Sequence, residues 1–412
     1  ALPTGNRNTF DVTGHDADLL FGDVSIGTQN TRTGPMENLF SFDTGTLVMN
    51  SLTMGSKTAA GNSTNTMNLG GGSVSIGSGS GTAITLASNT NTGAVSSTIN
   101  ITGGAVTVTG NIVRGNNTGA GSATGSINLD GGALDLSGNS IGSATNVIGF
   151  TAASGSLSNL AELNGGGDLV KTTPGVLTLA GVNTYTGNTL VSDGTLVVNN
   201  LTGSGTGTGN VTVELFATLA GTGSLSGAVT VNNFGSISPG GVDLNGESLL
   251  GQLTVGTLTA DTGSQLLFQL GGSTLNDPTS IAAYQANPGT FVVPTSWTTS
   301  YEAETTQHDQ LYISDAGSPT VNSLIAISET YLNGFTPGYG DVFQLMDWAS
   351  LGTNNIVGTP FLGTLPDLSG SGLSWNTDFF SSTGVIFVVP EPSRVLLVFF
   401  GLFGLFFRRR RP

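Results

Sequence analysis

The stretch Asn68-Leu69-Gly70-Gly71-Gly72-Ser73-Val74-Ser75-Ile76 decides the fold of this chain, because it recurs. Asn100-Ile101-Thr102-Gly103-Gly104-Ala105-Val106-Thr107-Val108 has the same outline, and so does Asn128-Leu129-Asp130-Gly131-Gly132-Ala133-Leu134-Asp135-Leu136. Each copy is an asparagine, an apolar residue, a glycine-rich break and an alternation of apolar and polar residues. Alternation of period two puts the apolar side chains on one face of a strand. A unit of roughly 30 residues is too short to bury its own core and must stack on its neighbours, the pattern of a solenoid. Stacking sets equivalent residues in columns. Asn68, Asn100 and Asn128 are expected to form a side-chain ladder at a bend, with Val74, Val106 and Leu134 as an aliphatic column inside. The glycines would supply the left-handed backbone of a tight corner.

Outward from these repeats the texture persists. Glycine numbers 64 of 412 residues and charged residues are only 9%. Such a composition fits disorder only where apolar periodicity is missing. Here it continues, for example in Thr195-Leu196-Val197-Val198, and helical periodicity is almost absent before residue 390. The fold class is all-β. From about residue 261 glycine thins and aromatic and acidic residues rise: Trp297, Tyr301, Glu302, Glu304, Tyr312, Trp348, Trp375. The expected organisation is an N-terminal β cap over 1–50, using Phe10, Leu19, Leu20, Phe21, Leu39, Phe40 and Phe42. Then come β-solenoid (β-helix) repeats over 51–260, a β-sandwich-like terminal domain over 261–388, and a sorting and membrane segment over 389–412. The solenoid would make roughly 7–10 coils and a rod of about 30–50 Å.

The terminal segment reads Val389-Pro390-Glu391-Pro392-Ser393, then an uncharged run with Val395, Leu396, Leu397, Phe399, Phe400, Phe403, Phe406 and Phe407, then Arg408, Arg409, Arg410 and Arg411. The prolines are expected to break any preceding structure. The run is expected to be a short helix in lipid, about 20 Å long against a hydrocarbon core of about 30 Å. That is undersized for a permanent anchor. The arginines would hold the end on the cytoplasmic side. This layout closely resembles the PEP-CTERM sorting signal of Gram-negative bacteria. The resemblance implies transient inner-membrane insertion, cleavage near Pro390-Glu391-Pro392 by an exosortase-type enzyme, and delivery of the body to the cell surface or extracellular matrix. A permanently anchored protein is the other reading of the same residues. Ala1 as first residue fits removal of a signal peptide.

A second resemblance lies upstream. Gly166-Gly167-Asp168-Leu169-Val170-Lys171 leads into Val176-Leu177-Thr178-Leu179-Ala180-Gly181-Val182-Asn183-Thr184-Tyr185-Thr186-Gly187, and the segment closes on Gly194-Thr195-Leu196-Val197-Val198-Asn199-Asn200. It is similar to the autotransporter-associated β-strand repeat of large bacterial surface proteins. The resemblance implies a β-solenoid passenger and no particular activity.

The residues that carry chemistry are sparse. With 26 acidic residues to 10 basic and a net charge of −16, the chain is not drawn to nucleic acid or anionic lipid. There are no cysteines. His15 and His308 are too far apart in sequence to suggest a triad, and each sits beside an aspartate as a surface pair would. Asp16, Asp18 and Asp23 are candidate calcium ligands but lack the spacing of a calcium loop, so neither metal nor cofactor is expected. The enzymatic alternative is a β-helical polysaccharide lyase or hydrolase. It would draw on Asp130, Asp135, Glu162, Asp168, Asp193 and Glu214 with Arg114 and Lys171. The favoured reading is an exported, structural or adhesive surface protein. It would be a passive scaffold that contacts envelope or matrix polysaccharide and self-assembles into filaments or layers.

Overall fold

The computed structural model describes residues 6–31, 33–79, 81–241, 249–273, 275–298, 308–349, 351 and 354–391. Strands account for 52% and helix for 6%, so the fold is all-β.

The repeats lie side by side. Strand Ser63–Ile76 pairs in parallel with Val95–Val108, and that strand pairs in parallel with Ala123–Ile141. Asn68 faces Asn100 and Asn100 faces Asn128, while Val74 faces Val106 and Val106 faces Leu134. The aliphatic column extends both ways. Leu47 pairs with Val74, and Leu134 is followed by Leu157, Leu179 and Val198. All are buried. Thr218–Gly221 and Ser236–Pro239 carry the same sheet onward. A second parallel column runs through Leu169–Lys171, Thr189–Val191, Val211–Val213, Val229–Val231, Leu258–Ala260 and Thr320–Val321. In Val211-Thr212-Val213 and Val229-Thr230-Val231 both valines are buried and the threonine is not, the alternation that β-branched residues favour on a half-buried strand. Each repeat thus forms one layer, joined to the next by backbone hydrogen bonds.

The glycine corners are a steric requirement. Along Ser63–Ile76 the buried residues are Ser63, Asn65, Met67 and Leu69 before the corner and Val74 and Ile76 after it, so the inward face changes parity across Gly70-Gly71-Gly72. Gly72 and Gly104 both have φ of 70°. A Cβ on Gly72 would stand 2.7 Å from the Gly45 carbonyl oxygen and 2.8 Å from the Phe42 ring.

Both expected boundaries need correction. The described residues of 1–50 are not a separate cap. Asn6–Asp11, Ala17–Ile26, Met36–Phe42 and Gly45–Lys57 are themselves parallel layers, and the last runs straight across residue 50. Phe40 and Phe42 are buried, whereas Phe10 is 43% and Leu20 81% exposed. Among the described residues Asn6–Asp11 and Ala17–Ile26 each have a strand partner on one side only. An open groove of about 420 Å³ there is lined by Asn8, Phe10, Ile26, Met36, Asn38 and Phe40.

Nor does the pairing change at residue 260. Gln265–Phe268 continues the parallel sheet from Ser236–Pro239 to Leu324–Ile327, which pairs on to Phe361–Thr364. Gln252–Val255, Gln310–Ile313 and Met346–Trp348 form a third parallel column. Among the described residues of 261–388 the antiparallel strands form one four-stranded sheet of Leu275–Asn276, Asp341–Gln344, Val385–Pro390 and Leu373–Asn376, rather than two sheets face to face. Helix Pro278–Ala286 covers it, and Ile281, Tyr284, Trp297, Val342, Phe387 and Val389 make a second, aromatic core. Asp277 caps that helix by accepting from Ser280 N–H at 3.0 Å and also accepts from Trp297 Nε1 at 3.1 Å. Alternation shows that one face of a strand is buried, not what buries it. Stacked layers and a sandwich therefore read alike.

Strand Val385–Pro390 runs past the expected domain boundary at residue 388 and ends at the first of the two prolines. Val389 and Pro390 pair with Ser374 and Leu373, and the Glu391 N–H donates to the Gly372 carbonyl at 2.9 Å. Pro392, Ser393, the apolar run from Val395 to Phe407 where a short helix is expected, and Arg408 to Arg411 lie outside the described residues. Among the described residues no helix is long and apolar enough to cross a membrane.

Candidate functional site

The layers bring side chains into polar columns, and the three that follow differ in where they stand. In the outer column, Asn100 Nδ2 donates to Asn68 Oδ1 at 2.8 Å and Asn128 Nδ2 donates to Asn100 Oδ1 at 2.8 Å. These asparagines are half-buried between inward-facing neighbours such as Met67 and Leu69. The ladder therefore runs along the outer face just before the glycine corner and not in the bend itself. Its physical origin is the strand alternation: a residue next to a buried leucine must face out.

Sequence reasoning missed an inner column. Asn8 donates to Asn38 and Asn38 to Asn65, both at 2.8 Å, and Ser97 Oγ donates to the Met54 carbonyl at 2.8 Å. Asn65 and Ser97 are fully buried, so each amide must find its partner within the stack. Gly27, with φ of 76°, leaves the space: a Cβ there would sit 1.7 Å from Asn65 Oδ1. A further column is Gln29, Lys57, Asn89 and Asn117. Its amides close the following loop, Gln29 onto the Gly34 carbonyl, Asn89 onto Gly93 and Asn117 onto Gly121, each at 2.8 Å. Lys57 takes the amide's place in one layer, and burial lowers the pKa of its ammonium. The signal was present in Lys57-Thr58-Ala59-Ala60-Gly61, Asn89-Thr90-Asn91-Thr92-Gly93 and Asn117-Thr118-Gly119-Ala120-Gly121, which keep step with the Asn68 ladder.

The carboxylates considered for catalysis are engaged within their own turns or with the next layer. Asp130 accepts from Ser154 Oγ at 2.7 Å, Asp135 from Ser137 N–H at 2.8 Å and Asn159 Nδ2 at 2.9 Å, and Asp168 from Asn188 N–H at 2.8 Å. Glu214 accepts from Asn232 Nδ2 at 2.9 Å, and Asp193 from Gly194 N–H at 2.7 Å. Partial burial raises the Glu162 pKa, but hydrogen bonds from Thr186, Leu163 and Gly166 outweigh it and hold the carboxyl below its usual range. Arg114 donates to Asn146 Oδ1 at 2.6 Å. Lys171 is fully buried and donates to Thr173 and the Asp193 carbonyl. Burial lowers its pKa, against an opposing pull from Asp193 and Asp130. An ammonium so enclosed is out of reach of a polymer on the surface.

Asp23 accepts from Ser51 Oγ at 2.7 Å. Among the described residues no group of three or more His, Asp or Glu side chains is placed to hold a metal ion. His15 is exposed, but His308 and Asp309 are not the surface pair their neighbourhood in sequence implied. Both are interior. Burial drops His308 to about 4, with Nε2 at 3.1 Å from the Gln344 carbonyl. Burial pushes Asp309 up to about 8, although it accepts N–H bonds from Gln269 at 2.8 Å and Gly251 at 3.1 Å.

Known proteins resemble one part of this framework. Residues 169–198 match the family described as passenger-associated-transport-repeat. In the structure they are strands Leu169–Lys171, Val176–Ala180, Thr189–Val191 and Thr195–Val198, two successive layers in register. Over 96 residues the chain is 36% identical to the adhesin BmaC autotransporter of Brucella suis biovar 1 (strain 1330). That stretch is 23% of this chain and 3% of that protein. The chain therefore carries an autotransporter-associated passenger repeat, built from two of its stacked layers.

Proposed function

We propose that this protein is an exported structural or adhesive component of a Gram-negative cell surface or extracellular matrix. Its stacked layers act as a β-solenoid rod and passive scaffold. The observation that carries the reading is the parallel pairing of layer on layer from Met36 to Phe268, with local register shifts at the Gly70 corner and along Gly149–Leu163 and with the passenger repeat inside it. Such a rod exposes Ser, Thr and Asn columns whose polar groups face water and neighbouring polysaccharide, while the aliphatic column does the folding. The likeness to an adhesin favours display at the surface. Sorting falls to the C-terminal signal: an exosortase-type enzyme removes the segment that follows Pro390-Glu391-Pro392, after a transient stage in the inner membrane. The one-sided strands Asn6–Asp11 and Ala17–Ile26 favour self-association, since an unpaired parallel edge is a template for another strand.

The test is to express the full chain in a host with an exosortase, then combine immunogold labelling of intact cells with intact mass of the recovered protein. Surface label with loss of Arg408 to Arg411 is expected. Surface label with those arginines retained would replace sorting by permanent anchoring. Label confined to the cytoplasm would overturn the reading.

A further inference from the structure

Two phenylalanines hold a left-handed backbone conformation that this chain gives mostly to glycine. In the turn from Val211–Val213 to Thr218–Gly221, Phe216 has φ of 63°, and in the next layer's turn Phe234 has φ of 60°. The layer before has Gly194 in its turn, at φ of 69°, and the layer after has Gly263, at φ of 86°. Left-handed backbone is strained for any residue with a Cβ, and for a bulky aromatic it is a true outlier. The backbone holds it in place: Phe216 N–H donates to the Phe234 carbonyl and Phe234 N–H to the Gly263 carbonyl, both at 3.1 Å.

The strain does not serve burial. Phe216 is 74% exposed and Phe234 50%, beside Leu215 at 49%. The two rings stack on each other, centroids 5.9 Å apart and planes 29° from parallel. Neither flanking turn, Ser192-Asp193-Gly194 nor Asp261-Thr262-Gly263, adds a third aromatic ring to the stack. Backbone strain combined with solvent-exposed aromatics is a pattern retained for contact with something else.

We propose that Phe216 and Phe234, with Leu215, form an aromatic platform that binds a neutral pyranose chain. The axial C–H groups of an all-equatorial sugar present an apolar face about the size of a phenyl ring, and its hydroxyls need a polar rim. Glu214, Asn232 and Asn233 supply that rim within the same two turns. Neither turn holds a lysine or arginine, and the chain carries a net charge of −16, so an anionic polysaccharide would be repelled. Three partly exposed side chains offer far less than the roughly 800 Å² per partner that a stable protein interface needs. A sugar chain needs much less. The proposal relies on surface display only for where such a chain is met; the site itself is a property of the purified protein.

The experiment titrates the purified full chain with cellohexaose and reads binding by saturation transfer from aromatic protons to sugar protons. Its comparator is the double variant Phe216→Gly/Phe234→Gly, which removes the rings and suits the left-handed backbone. Expected are saturable binding by the wild type, at least about tenfold weaker binding by the variant, and an unchanged or higher Tm. No transfer to about 10 mM hexasaccharide, or equal affinity in the variant, would overturn the platform. A Tm lower by several degrees in the variant would also overturn it, by showing that the pair is there to hold the fold.

Discussion

Between Met36 and Pro239 the parallel layers follow one another with short connections; between Leu275 and Glu391 they continue but carry long insertions. In the first region the layers from Leu47 to Val198 each add a leucine or valine to one column, and Asn68, Asn100 and Asn128 add amides to an outer ladder. Each layer therefore rests mainly on its two neighbours. In the second, long insertions between parallel strands bring in a helix, an antiparallel sheet and a cluster of aromatic rings, with Phe387 in ring contact with Tyr284, Trp297 and Phe379. This region also buries the ionisable His308 and Asp309, where the layers bury Lys57 and Lys171. The layered region gains stability by repetition, whereas the insertions near the end add a separate aromatic cluster that should fail as a unit.

Breaking the cluster should have the largest effect. Trp297 is fully buried against Phe291 and Phe387, and Trp297→Ala should cost about 3–5 kcal/mol. Urea unfolding should then show an early transition confined to the end, with most strand signal persisting. In the layers, Leu134→Ala should cost about 3 kcal/mol. Hydrogen exchange should rise around Val106 and Leu157 and stay unchanged around Ile281 and Phe387. A uniform rise along the whole chain would erase the contrast between the regions.

The buried pair sharpens it further through pH. Asp309 shifts from 3.8 to about 8 on folding, so the folded state holds a proton that the unfolded chain has lost, and stability falls as pH rises between those values. His308 shifts from 6.5 to about 4, so its contribution is present above 6.5 and is lost as pH falls toward 4. The two slopes oppose each other up to pH 6.5 and leave Asp309 alone above it. From pH 6.5 to 8 the wild type should lose up to about 2 kcal/mol relative to Asp309→Asn, measured by thermal unfolding at each pH. A parallel pair of pH profiles would show that Asp309 is ionised in the fold. The smallest effects belong to the ladders. Asn65→Ala, which strands the Asn38 amide inside the stack, should cost about 2 kcal/mol, and Asn100→Ala on the outer face about 1 kcal/mol.

The strand class and the Val74, Val106 and Leu134 register were legible because one repeat unit carries both a period of two and a fixed marker, Asn followed by an apolar residue and glycines. The passenger repeat was legible from its own residues at 166–200. What stayed hidden has a common cause: partner identity. Phe40 and Gln265-Leu266-Leu267-Phe268 alternate like any half-buried strand, and nothing local says that the partner is another layer. Long insertions before Gln310 and Phe361 obscured the continuing period. The inner Asn38 and Asn65 column was missed because asparagine reads as a turn residue until a neighbouring amide is stacked on it. The interior placement of His308 and Asp309 depends on strands far away in sequence, Gln252–Val255 and Asp341–Gln344.

Register-true stacking is the central claim, and a chain without cysteine allows a direct test. Asn68→Cys/Asn100→Cys places two thiols on adjacent strands about 4.8 Å apart, within disulfide reach, whereas Asn68→Cys/Asn128→Cys spans two layers at roughly 10 Å and is beyond it. Under mild oxidation of the folded protein, intact mass should show near-complete closure of the first pair and none of the second. Failure of the first pair to close, or equal closure of both, would contradict the stack.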